Sequence, residues 1–200
     1  MGEAVLSSSG SQNAIQERIL HAAATLLAEH RYDTVDLAQI ATSAGLQFEQ
    51  LHEHYPTMHA IGTAILTAEG SSMRAAMAQA QQRGGTPIGV LEHTFELIGA
   101  NMASRAEVRA GMRIAAESRQ FFPERKIDPY RTWYAFVSSQ LQAADSAGLL
   151  RAGTDLDAIS WLIVSAGMGT KDLVAFREAW DEIAERLNTT LSSILRLITV

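Results

Sequence analysis

The chain has 200 residues, with 16 Lys and Arg against 22 Asp and Glu, a net charge of −6, no cysteine, and 47% hydrophobic and 19% charged residues. That length and apolar content suffice for a packed core, and the lack of cysteine excludes disulfide frameworks, thiolate metal sites and cysteine nucleophiles. The expected setting is a reducing cytoplasm: no apolar run approaches the ~20 residues of a spanning helix, and Met1 to Gln12 lack the basic and apolar regions of a signal peptide.

In chain order, Ser7-Ser8-Ser9-Gly10-Ser11 mark residues 1–12 as a disordered lead-in by composition. From Ala14, the positions Ile15, Ile19, Ala22, Ala23, Leu26 and Leu27 recur at helical spacing and predict a first helix ending near His30. Asp36 suits the cap of a short second helix through Thr42, and Ser43-Ala44-Gly45 predict a turn with Gly45 left-handed. A third short helix follows from Gln47 to His54, and after Pro56 a long fourth runs from Thr57 to about Arg83. Thr86-Pro87 open a fifth helix to about Ala103, and a sixth spans about Arg105 to Ser118. Residues 119–128 read as a polar loop carrying two aromatics, Phe121 and Phe122. Three further helices, at about 129–147, 155–174 and 179–198, complete an all-α chain of about nine helices. The last two are rich in Ile, Leu, Val and Trp, which suits partner contacts or a buried pair.

Three short helices with Ala44-Gly45 in the turn, then a long helix and a helical remainder, follow the order of a helix-turn-helix domain joined to an effector domain. The run Arg18 to Leu27, then Tyr32-Asp33, Leu37 to Ala41, Ala44-Gly45-Leu46, Leu51 and His54-Tyr55, resembles the TetR family of transcriptional repressors. Val108 to Glu117, Asp128 to Trp133, and Ala147 to Asp155 look like its γ-butyrolactone receptor branch, known from antibiotic-producing actinomycetes. The resemblance implies a helix-turn-helix domain at 13–56, a ligand-binding and dimerisation domain at 57–200, and a homodimer formed through the last two helices. A heterodimer with a paralogue is the alternative assembly. It also implies a repressor that releases operator DNA when a small apolar signal, such as a butanolide, enters the effector domain.

Carried onto this chain, the DNA-reading positions are Gln47, Phe48, Gln50, His52, His54 and Tyr55. Gln and His can contact base edges. The Lys and Tyr phosphate clamps frequent in the family are missing, and Val35 replaces a phosphate-binding Thr. Residues 1–60 hold two cations, Arg18 and Arg31, against seven anions, a net of −5 on the domain expected to meet a polyanion. Five of the six histidines also lie there, so protonation would offset the deficit; the plainer reading has His21 and His54 as packed structural residues. A second function therefore stands beside the repressor: a homologue without autonomous DNA binding, acting by binding a signal or by heterodimerising.

For the effector pocket, Trp133 stands where the resemblance places a tryptophan over the ligand. Phe95, Met102, Met112, Phe136, Trp161, Val164 and Met168 are candidate companions, and Ser165 could replace the hydroxyl absent at Met168. No nucleophile elbow, Gly-rich phosphate loop or zinc spacing occurs, so no cofactor, metal or membrane partner is expected. His52 and His54 stand about 200° apart on a helix, which argues against a metal pair. An enzyme using Glu117, Asp128 or His93 as acid or base is the remaining alternative, with no spacing to support it.

Overall fold

The computed structural model describes residues 3–200; side chains are described from Gln12 onward. Among the described residues there are ten α-helices and no β-strand, in two compact units: residues up to 71 with 106–127, and residues 72–105 with 128–200.

The first unit begins with α1 (Glu3–Glu29), which buries Ile19, Ala22, Ala23 and Leu27 along one stripe. Met1 and Gly2 of the expected lead-in lie outside the described residues, and from Glu3 the backbone is helical. The segment lacks proline, and Ser or one Gly costs at most about 1 kcal/mol per residue when an existing helix is extended.

The next two helices are α2 (Leu37–Ala44) and α3 (Phe48–His54). Asp36 caps α2 reciprocally: its carboxylate accepts from Gln39 N at 2.8 Å, and Gln39 Oε1 accepts from Asp36 N at 2.9 Å. Gly45 is left-handed at φ 63°, and Leu46 N returns to Ala41 O at 2.9 Å, so the α2–α3 turn is closed by main-chain bonds. Ile40, Ala41 and Leu51 point into the unit's core.

That core extends beyond the segment 13–56. The first part of α4 (Met58–Arg83) supplies Ile61, Ile65 and Leu66, and α6 (Ala106–Ala116) packs on α1 through Ala106, Ala110 and Ile114. A side chain at Gly111 would overlap Glu69, so glycine permits the close passage of α6 over α4. Residues 119–128 are not an open polar loop. They contain α7 (Ser118–Phe121) and a 3-10 turn at Pro123–Arg125, and Phe122 between them is fully buried.

In the second unit, Thr86 caps α5 (Pro87–Ser104), and Asp128 caps α8 (Pro129–Ser146) by accepting from the Tyr130 and Arg131 amides. Asp155 caps α9 (Leu156–Phe176). The strongly amphipathic α10 (Ile183–Ile198) buries Ile183, Leu187, Leu191, Ile194, Leu195 and Ile198, and Gly99 of α5 admits its Ala184. Leu150 and Thr199 form an isolated antiparallel bridge that ties the entry to α9 to the end of α10.

Of the two apolar helices at the end of the chain, α9 is the one left largely exposed. It buries only Ser160, Ile163 and Val174, while Trp161, Leu162, Leu173 and Phe176 are exposed. It is also the one helix among the described residues long and apolar enough by length and composition to cross a membrane, where the sequence showed no such run.

Candidate functional site

The exposed side of α3 is set by its one buried residue. Leu51 is fully buried, and at 100° per residue the positions directly opposite are 49 and 53, about 40° apart. Glu49 and Glu53 therefore form the outermost ridge of the helix, with Phe48 and His52 on one flank and Gln50 on the other, all exposed. The Phe48 and His52 rings lie 5.7 Å apart, and Gln50 Oε1 accepts from Gln47 N at 3.1 Å, so Gln47 and Gln50 are joined at the start of α3.

The fold thus brings Gln47, Phe48, Gln50 and His52 onto one accessible surface. His54 is half-buried, and Tyr55 packs against the core, where burial pushes its hydroxyl above the ordinary tyrosine range. Val35 is a core residue. Of the two cations, Arg31 is held by Asp33 at 3.1 and 3.2 Å; this hydrogen-bonded pairing raises the Arg31 pKa and lowers that of Asp33. The expectation that His21 is packed is corrected: its side chain is 72% exposed and meets Glu107 of α6 at 3.1 Å.

Behind this surface lies an aromatic joint that the sequence did not reveal. Tyr32 meets Phe121 at 5.0 Å and Phe122 at 5.2 Å, and His59 stacks on Phe122 at 4.7 Å while facing Glu124 at 3.2 Å. Burial pushes the Tyr32 hydroxyl up to about 12. A side chain at Gly62 would overlap Phe122 and come within 2.9 Å of Tyr32. Glu117 accepts from Tyr32 N at 3.4 Å, and Arg113 donates to Ala28 O and Glu29 O at the end of α1. Glu117 and Asp128 thus have structural contacts, one with the amide of Tyr32 and one as the cap of α8.

In the second unit, Trp133 is half-buried edge-on to buried Phe136 at 6.4 Å, and Phe95 is buried with its ring 3.5 Å from where a Cβ would stand on Gly167. The hydroxyl of Tyr134 hydrogen-bonds the Asp157 carboxylate, linking α8 to the start of α9. Met102 is buried, and Val164 and Met168 are half-buried. Trp161, 69% exposed, and Ser165, also exposed, lie on the outer side of α9, and half-buried Met112 belongs to the first unit. The unit also contains a cleft of about 460 Å³ that none of these residues lines; Arg83, Glu92, His93, Glu96, Asn188 and Ser192 line it.

Comparison with solved structures identifies this arrangement of helices. The TetR family protein CprB from S. coelicolor A3(2) superposes with a TM-score of 0.82 at 21% identity, over 94% of this chain and 90% of that one. The chain has the TetR fold. A γ-butyrolactone receptor described as ArpA-like shares the TetR fold with a TM-score of 0.75 at 20% identity, covering 93% of this chain and 98% of its own. SmeT in complex with triclosan gives 0.71 at 18% identity, over 94% of this chain and 92% of that one. No family model and no curated protein sequence matches the chain.

Proposed function

We propose that the chain is a ligand-responsive transcriptional regulator of the TetR type, similar to γ-butyrolactone receptors, and not an enzyme. The observation that carries this reading is the helix-turn-helix geometry of α2 and α3: a reciprocal cap at Asp36, a left-handed turn at Gly45, and a second helix whose outward side is free. The likeness in fold to CprB and to an ArpA-like receptor supports it. In this reading Gln47, Phe48, Gln50 and His52 face operator DNA in the major groove, and a small apolar signal of the butanolide kind occupies the second unit beside Trp133, Phe136 and Phe95.

The active species is a homodimer in the cytoplasm. Exposed Trp161, Leu162, Leu173 and Phe176 on α9, with Leu197 and Val200 at the end of the chain, supply the apolar surface that a second copy would cover. That occupant accounts for an apolar α9 better than a membrane does, because Asp157, Lys171 and Asp172 interrupt the helix.

One observation favours a second reading. The Glu49–Glu53 ridge stands on the side that a groove-reading helix turns toward the bases, between the two phosphate rails, and Arg31 is occupied by Asp33. A protein with such a head would act through its signal or through a partner subunit and bind DNA poorly.

The deciding experiment measures duplex binding by the purified full chain at low and at physiological salt, using random DNA and the DNA upstream of its own coding region. Selective binding to the upstream duplex with a shallow salt dependence is the result expected for a repressor that relies on base contacts. No binding at low salt by a folded dimer would replace the repressor by the second reading.

A further inference from the structure

On the outward side of α9, Trp161 and Leu162 stand before, and Leu173 and Phe176 after, two small residues, Ser165 and Gly169, and all six are exposed. Glycine in a helix interior costs about 1 kcal/mol relative to alanine. The chain's own fold does not call for it at 169: a Cβ there meets nothing within 4 Å, whereas at Gly62, Gly99 and Gly111 it would overlap a neighbouring residue. The space above Gly169 therefore suits a second backbone, crossing closely from outside the chain.

This side is complementary to itself when reversed about residue 167. At about 100° per residue, Leu162 and Leu173 fall on one flank, Trp161 and Asp172 on the other, and Ala158, Ser165, Gly169 and Phe176 along the middle. A copy turned end for end sets Leu162 on the partner's Leu173, Ser165 on the partner's Gly169 and Phe176 over the partner's Ala158. The Trp161 indole N–H, which can only donate, meets the partner's Asp172. Arg177 is exposed, and its side chain has no hydrogen bond or ion pair among the described residues. On the Leu162 flank it comes beside the partner's Asp155. A parallel pairing instead sets Asp155 and Asp157 against their own copies and aligns two helix N-termini.

We propose that α9 pairs antiparallel with α9 of a second copy of this chain, crossing at Ser165 and Gly169, so that the partner subunit is an identical chain and not a paralogue. The proposal rests on the dimer described under the proposed function and adds the direction and register of the pairing. A two-fold interface must be complementary to itself, and this face is, in both its apolar and its charged positions. Trp161, Leu162, Leu173 and Phe176 expose roughly 600 Å² per copy at ordinary side-chain areas, so two copies clear the ~1,000 Å² of a specific interface.

The chain has no cysteine, so introduced thiols report the pairing alone. Oxidation of the full-length L162C/L173C variant should give a disulfide-linked dimer on non-reducing electrophoresis. L162C and L173C singly should stay uncrosslinked, because each lies about 15 Å or more along the helix from its own copy, against the ~7 Å that a disulfide spans. G169L should sediment as a monomer at micromolar concentration with unchanged circular dichroism, where the parent is a dimer. Crosslinking by either single variant, a double variant that sediments as a dimer but does not crosslink, or a G169L chain that stays dimeric overturns the antiparallel crossing and leaves the homodimer standing. A parent chain that sediments as a monomer overturns both, and α9 is then a face for a different protein.

Discussion

Glu49 and Glu53 stand one turn apart on α3, on the side directly opposite buried Leu51. A helix entering the major groove puts this side nearest the bases and between the phosphate rails, and each carboxylate there opposes the counterion release that supplies sequence-independent affinity. E49K/E53K should therefore increase affinity for random duplex at least tenfold at low salt and steepen the salt dependence by up to about two phosphate contacts. Filter binding or fluorescence anisotropy at several salt concentrations checks it. An unchanged affinity would mean that this ridge does not approach DNA.

The aromatic joint should be a major source of stability in the first unit. Phe122 is fully buried against Tyr32 and His59, so F122A should destabilise by about 3–5 kcal/mol, as large aromatic truncations do. Urea unfolding followed by circular dichroism measures it. A loss below about 0.5 kcal/mol would show that the 118–125 segment is not packed on the core as described, since that is the range of surface changes.

The same joint predicts a pH dependence. The Tyr32 hydroxyl is raised to about 12 by burial, against about 10 for an unfolded chain. Between those values the folded protein keeps a proton that the unfolded chain has lost, so stability falls as pH rises from about 10 to about 12. The contribution is fully present below pH 10. Y32F removes the titrating group, and the difference in urea midpoint between Y32F and the parent should shift in favour of Y32F across that window. A constant difference would mean that Tyr32 ionises as freely as in the unfolded chain.

The helix-turn-helix was legible because its signals are local. Asp36 three residues before Gln39, and Gly45 in the turn, specify cap and turn within ten residues of each other, and both are realised. The joint was not legible, since Phe121 and Phe122 sit among Arg119, Glu124, Arg125 and Lys126 and their partners Tyr32 and His59 are distant in sequence. No period links such positions. Helix α9 is apolar nearly all round, so periodicity could not tell the inward Ile163 from the outward Trp161 and Ser165. The polar cleft draws on α4, α5 and α10, and only the fold brings Arg83 beside His93 and within one cleft with Asn188.

The exposed apolar groups on α9 yield the last prediction. Phe176 is 88% exposed and Trp161 69%, far more than an aromatic side chain needs for its own fold. Replacing them by serine removes little from the isolated chain, because neither contributes to the buried core, but it deletes two large anchors from the surface proposed for a second copy. W161S/F176S should sediment as a monomer at micromolar concentration with native circular dichroism, where the parent sediments as a dimer. Truncation of hot-spot aromatics commonly costs about 2 kcal/mol or more each, which corresponds to dimer dissociation weakened a thousandfold for the pair if the losses add. A variant that stays dimeric would move the interface to another surface and leave α9 without the partner its composition calls for.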